Sequence, residues 1–245
     1  MTHHANSPLH RGDAAAVLFA LGFPSLLTWV YFAWLPEAAP AWQQPVYALG
    51  KTIQFGFPVV WVLAAQRRRL AWSRPRSAGL AEGLVFGAVV FAVAVGVYQA
   101  VLRPAGTIQS AGPAIQSKIA SFGVGTFAAY AALGAFYSLV HSLLEEYYWR
   151  WFVFGQLRDL MPWPAATAVS SVGFMAHHVI LLGAYFGWFS PWTLVFSVGV
   201  ALGGAYWAWL YHRSGSLFGP WLSHMLIDAA IFAIGYDLAR PLFRS

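Results

Sequence analysis

Several stretches of this chain are each long enough and apolar enough to cross a hydrocarbon core, which takes about 20 helical residues. They run near residues 14–35, 46–65, 78–102, 122–156, 164–187, 191–211 and 217–236. In lipid every backbone polar group must be satisfied within the protein, so spans of this length have to be helical. The expected fold is therefore all-α: a polytopic transmembrane helix bundle of about seven spans, forming a single integral membrane domain over residues 1–245. Composition agrees. Charged residues make up 9% of the chain and apolar ones 59%, against about 25% charged in an average soluble domain. So few charges cannot coat a water-facing surface, and the same hydrophobicity excludes intrinsic disorder. The absence of cysteine excludes a disulfide framework, a thiol nucleophile and a Cys-built zinc or iron-sulfur site.

The chain is basic, with 14 Lys and Arg against 8 Asp and Glu, but the cations fall between apolar runs and read as topology signals, with no nucleic acid partner implied. The strongest cluster, Arg67, Arg68, Arg69, Arg74 and Arg76, occupies the connection between the second and third spans. The positive-inside rule puts that connection and the N-terminus in the cytoplasm, in a cell (inner) membrane. The polar head Met1–Asp13, with His3, His4 and His10, precedes a span too long for a cleavable signal, which is expected to be retained. The connection from Arg103 to Ser121, rich in Gly, Pro, Ser and Gln, then lies on the opposite side as a linker or a lid. Gly83/Gly87 and Gly199/Gly203 are small-residue pairs of the kind that lets membrane helices approach closely. Most Trp and Tyr residues are expected in interfacial belts.

Ionisable groups inside a bilayer are costly, by about 2.5–3.5 kcal/mol for an acid at a helix centre, so they default to functional candidates. The fourth span carries His141, Glu145, Glu146 and Arg150; the fifth Phe174, His177 and His178; the seventh His224 and Asp228. Neighbouring residues on a helix differ by about 100° in direction, so Glu145 and Glu146 are not expected to face one point. Glu146 stands four residues before Arg150, the favourable order for a helical ion pair, which leaves Glu145 as the chemical carboxylate. His141 shares the face of Glu145. His177 and His178 diverge in the same way, and Phe174, four residues before His178, can brace that imidazole. His224 and Asp228 project from one face. A submerged carboxylate, an imidazole and an imidazole–carboxyl pair are what water activation needs, so the expected chemistry is hydrolysis within the membrane.

The ordered set Glu145-Glu146-x-x-x-Arg150, Phe174-x-x-x-His178 and His224-x-x-x-Asp228 resembles the CAAX-protease and bacteriocin-processing group of intramembrane endopeptidases, to which the Ras-converting CAAX endopeptidase belongs. The resemblance covers about residues 122–235. It implies that Glu145 and His178 activate water for attack on a peptide carbonyl, that Glu146 and Arg150 hold the site together, and that His224 with Asp228 stabilises the oxyanion. The group more often has Asn at the last position. An ionised Asp cannot donate a hydrogen bond and Asn can, so Asp228 is left to be protonated, to orient His224 or to bind a cation.

That departure leaves open a zinc-dependent alternative with Glu145, His178, His224 and Asp228 as ligands. A metal-free glutamic mechanism with no cofactor is favoured, because the HExxH signature is missing and Arg150 disfavours a cation. The expected partner is a membrane-associated protein or peptide substrate, besides the lipid bilayer. A catalytically idle immunity or binding protein and a proton-coupled transporter are the readings from other classes.

Overall fold

The computed structural model of the protein describes residues 11–70, 76–108 and 111–243; His3, His4, His10 and Arg74 lie outside the described residues. Among the described residues there are helices and turns and no strand. In chain order the helices are α1 (Arg11–Trp29), α2 (Leu35–Ala38), α3 (Gln43–Val60), α4 (Ser77–Val97), α5 (Gly112–Ser121), α6 (Phe127–Ala135), α7 (Ser142–Glu146), α8 (Gly155–Leu160), α9 (Trp163–Phe186), α10 (Pro191–Ser214) and α11 (Phe218–Ala239). Joined through short π-helical windings, they give 7 helices long and apolar enough to cross a membrane: Asp13–Ala38, Pro40–Ala65, Gly79–Leu102, Phe127–Leu160, Trp163–Phe186, Pro191–Ser214 and Phe218–Leu242. The all-α expectation and its seven spans hold.

The chain divides into two compact units. The first comprises Met1–Trp72 and Tyr147–His212, the second Ser73–Glu146 and Arg213–Ser245. In the first, α1 packs on α9 and α3. The approach to α9 is close because Gly173 has no side chain: a Cβ there would lie 2.6 Å from Leu21 Cδ2. Pro24, inside α1, has no N–H to give the carbonyl of Ala20 one turn earlier. The Tyr148 hydroxyl donates to that carbonyl at 2.8 Å, so a proline defect becomes an interhelical tie. At one end of this unit the Gln66 amide donates to Asp13 at 2.9 Å and to Gln156 at 2.8 Å. The start of the first span and the ends of the second and fourth therefore share one side.

In the second unit α4 and α11 pack face to face across the first of the two glycine pairs. A Cβ on Gly83 would lie 2.1 Å from the Gly219 carbonyl oxygen, and one on Gly87 would lie 2.9 Å from Ser223 Cα. The second pair does not behave this way. A Cβ on Gly199 meets nothing within 4 Å, and one on Gly203 meets only Trp207 of its own helix, so i,i+4 glycines by themselves do not locate a crossing. The connection after Arg103 contains α5, beyond the linker or lid expected there. Gln116 of α5 donates to the Leu238 carbonyl at 2.9 Å, and burial lowers the pKa of Lys118 to about 8. Trp34, Trp42, Trp163 and Trp188, all near span ends, are exposed as an interfacial belt requires, whereas Trp149 and Trp207 are buried.

Replacing a helical glycine by alanine normally gains up to about 1 kcal/mol of helix propensity. At Gly83 that gain is opposed by overpacking of about 1–3 kcal/mol, because the obstacle is backbone that cannot rotate away. Gly96, on the same helix, faces open space: a Cβ added there would meet nothing within 4 Å. Thermal unfolding in detergent should therefore show Gly83→Ala below the parent and Gly96→Ala at or above it. Equal midpoints for the two variants would contradict the close crossing.

Candidate active site

The fourth span starts at a side-chain cap: Thr126 Oγ1 accepts from the Ala129 N–H at 3.2 Å. From there the helix changes its winding twice. Phe136–His141 is π-helical, Ser142–Glu146 is α-helical, and Tyr147–Phe154 is π-helical again. Such π windings inside α-helices are frequent at functional positions. The α-helical turn between them carries both glutamates near the middle of a 34-residue span. Glu145 is 4% exposed and Glu146 is 0% exposed.

The second unit brings these acids to α11. His224, 4% exposed, donates from Nδ1 to Glu146 Oε1 at 2.8 Å. Its Nε2 lies 3.7 Å from Glu145 Oε2 and 3.7 Å from Asp228 Oδ1. Neither of these two distances is a hydrogen bond, so both carboxyls flank Nε2 without closing on it. On the other side of Glu145, His141 Nε2 stands 4.0 Å from Oε1, and the His141 ring lies 5.0 Å from that of Tyr137. Four of the expected site residues, Glu145, Glu146, His224 and Asp228, are thus one cluster.

The expectation that adjacent glutamates cannot serve one point is corrected here. Both reach His224. The reason is the shape of the imidazole, whose two nitrogens sit on different edges: carboxyls that leave the helix in different directions each meet one of them.

The first unit holds the other group of expected residues. His178 Nδ1 is 2.9 Å from the Phe174 carbonyl. A carbonyl only accepts, so Nδ1 carries the hydrogen and Nε2 of the neutral ring bears the lone pair. The Phe174 ring sits edge-on to His178 at 4.7 Å. His177, by contrast, is buried and stacks on Trp149 at 5.6 Å with an interplanar angle of 6°, which is a packing role. Arg150 is 2% exposed, with its guanidinium 4.6 Å from the Phe174 ring centre and 4.9 Å from that of Trp207. It also donates to the Gly204 carbonyl at 3.3 Å. Sequence reasoning missed this cradle. The signal was available in Gly204 and Trp207, three residues apart and thus on one helix face: a Cβ on Gly204 would stand 3.3 Å from Phe174 and 3.4 Å from the guanidinium.

Among the described residues no group of three or more His, Asp or Glu side chains is placed to hold a metal ion. Of the residues in the zinc alternative, Glu145, His224 and Asp228 lie in the second unit and His178 in the first.

Residues 126–230 match the Type II CAAX prenyl endopeptidase Rce1-like family. The matched stretch contains all three motifs, from Glu145 through Asp228, and agrees with the resemblance that those motifs carry. No curated protein and no solved structure matches the chain. The seven apolar helices make this chain an integral, multi-pass membrane protein, and its residues 126–230 are similar to a family of endopeptidases.

Proposed function

We propose that the protein is an intramembrane endopeptidase that cleaves a membrane-associated protein or peptide with water activated by Glu145, without a metal. The observation that carries this reading is the buried cluster in which one imidazole, His224, is hydrogen-bonded to Glu146 and flanked at 3.7 Å by Glu145 and Asp228. A carboxylate that can take a proton beside an N–H that can donate one is the minimum for general-base hydrolysis.

In this reading Glu145 removes a proton from water as the oxygen attacks the scissile carbonyl. The tetrahedral oxyanion is held by Nε2–H of His224 in its doubly protonated form, a charge that the surrounding Glu145, Glu146 and Asp228 carboxyls balance, while Glu146 orients the ring from Nδ1. Collapse breaks the C–N bond, and the proton held by Glu145 passes to the departing amine. The family motif adds His178 as a second proton-accepting group, and its Nε2 lone pair suits that role. Arg150 and Phe174 are structural support: the guanidinium and the ring hold each other.

Asp228 separates this mechanism from a zinc-dependent one. Asp228→Asn supplies an amide donor beside His224 and should keep most of the activity in a reconstituted cleavage assay. In this reading Asp228 is protonated and its O–H is a second oxyanion donor, so Asp228→Ala removes a donor and should lose about 100- to 1000-fold, the usual effect of such a removal. A chelator should leave the parent active. Loss of activity in Asp228→Asn, together with a chelator-sensitive parent that zinc restores, would establish the metal form instead.

The proposed orientation has the N-terminus and the Arg67–Arg76 connection in the cytoplasm of a cell (inner) membrane. In this Cys-free chain, a cysteine at exposed Pro113 should react with an impermeant thiol reagent added outside intact cells. One at Arg74 should not, and the reverse pattern would invert the topology.

A further inference from the structure

His141 is an intramembrane histidine that the mechanism above does not use, and an ionisable group of this kind is costly to keep in a bilayer without a role. It ends the first π winding, four residues before Glu145. The backbone register changes just after it. The Ser142 N–H donates to the Tyr137 carbonyl, five residues back, and the Ser142 hydroxyl donates to the Ser138 carbonyl. Ser142 is wholly buried, so the switch to α winding is held between His141 and Glu145.

Across that α turn the two side chains share nearly one face. His141 Nε2 stands 4.0 Å from Glu145 Oε1, and this nitrogen is shielded from water although the side chain as a whole is 16% exposed. The ring is braced from behind. Its centre lies 5.0 Å from that of Tyr137, and the Tyr137 ring packs on Phe232 of α11 at 5.7 Å. Tyr137-x-x-x-His141 thus repeats within the fourth span the aromatic support that Phe174 gives His178.

Two imidazoles therefore address the two oxygens of Glu145 separately: His224 faces Oε2 at 3.7 Å and His141 faces Oε1 at 4.0 Å. The charges explain why the second is needed. With Asp228 protonated and His224 doubly protonated, Glu145 and Glu146 remain as two carboxylates against one cation. A buried carboxylate is costly unless it is hydrogen-bonded. A donor at Oε1 meets that need and leaves Oε2, the oxygen beside His224, to take the proton from water. At 4.0 Å the contact is not yet a hydrogen bond, but catalytic hydrogen bonds are often long before substrate binds and tighten in the complex.

Resting on the endopeptidase reading, we propose that His141 is a positioning residue: its Nε2–H holds Oε1 of Glu145, so that Oε2 is presented to the attacking water beside His224. It touches neither the water nor the peptide and acts through Glu145.

The test separates the ring from its N–H in the full-length protein, reconstituted in lipid vesicles. His141→Phe keeps an aromatic ring against Tyr137 and removes the donor, whereas His141→Gln loses the ring and keeps an amide N–H. The substrates are a library of peptides anchored by a Leu–Ala helix of about 20 residues. His141→Phe should lose about 100-fold in kcat, the effect of misplacing a catalytic group by about 1 Å, with KM unchanged. His141→Gln should keep most of the rate. A second readout needs no turnover: the carboxylate stretch of Glu145, identified by infrared difference between the parent and Glu145→Gln, should shift in His141→Phe and stay near the parent position in His141→Gln. Normal kcat in His141→Phe, equal loss in both variants, or a raised KM with kcat unchanged would each overturn the proposal. A band shift confined to His141→Phe in a protein that cleaves no peptide would uphold the pairing of His141 with Glu145 and reject the endopeptidase reading. Cleavage by the parent with kcat and band alike in both variants would do the opposite.

Discussion

The hydrogen bond from His224 Nδ1 to Glu146 Oε1, 2.8 Å long and wholly buried, is the interaction on which the site depends. Two ionisable groups inside an apolar bundle are tolerable only when they satisfy one another. With Nδ1 committed to Glu146, the ring is fixed in orientation and the other nitrogen is turned toward Glu145 and Asp228. One bond therefore ties the fourth span to α11 and aims Nε2, a donor when the ring is doubly protonated, where the proposed chemistry requires it. It follows the general pattern in which the partner of one ring nitrogen decides what the other can do.

Close packing without large side chains supplies the frame for that bond. Gly83 and Gly87 let α4 press against the backbone of α11 around Gly219 and Ser223, so the helix that carries His224 is backed along its length. In the other unit Gly173 and the Tyr148–Ala20 tie do the same for α1, α9 and the start of the second π winding. The Arg150 guanidinium, held between Phe174 and Trp207, couples the fourth span to α9 and α10 by cation–π contacts that are strongest where water is excluded.

The spans were legible because hydrophobic length is a strong signal, and the family resemblance because three motifs recur in order on separate spans. His224 and Asp228 were readable as a pair from their i,i+4 spacing, and the bracing of His178 by Phe174 for the same reason. Other features follow from contacts that spacing does not encode. Adjacency suggested that Glu145 and Glu146 serve different partners, but a two-edged imidazole collects both. His177 and His178 are indistinguishable as letters until Trp149 stacks on one of them. The glycine pair at 199 and 203 has the same pattern as that at 83 and 87, and only the partner helix distinguishes them. The helix Gly112–Ser121 was hidden by its short length and by a composition of turn-forming residues that packing on α11 overrides.

The measurement that bears most directly on the account is turnover of a membrane-anchored peptide in ¹⁸O-labelled water by the chelator-treated parent and by Glu145→Gln. The parent should place one ¹⁸O in the new carboxyl terminus. Glu145→Gln, folded to the same yield, should lose about 100- to 10,000-fold in rate, the range that a general base contributes. Normal turnover by the glutamine variant, or a parent that stops when metal is removed, would contradict a water molecule activated by Glu145.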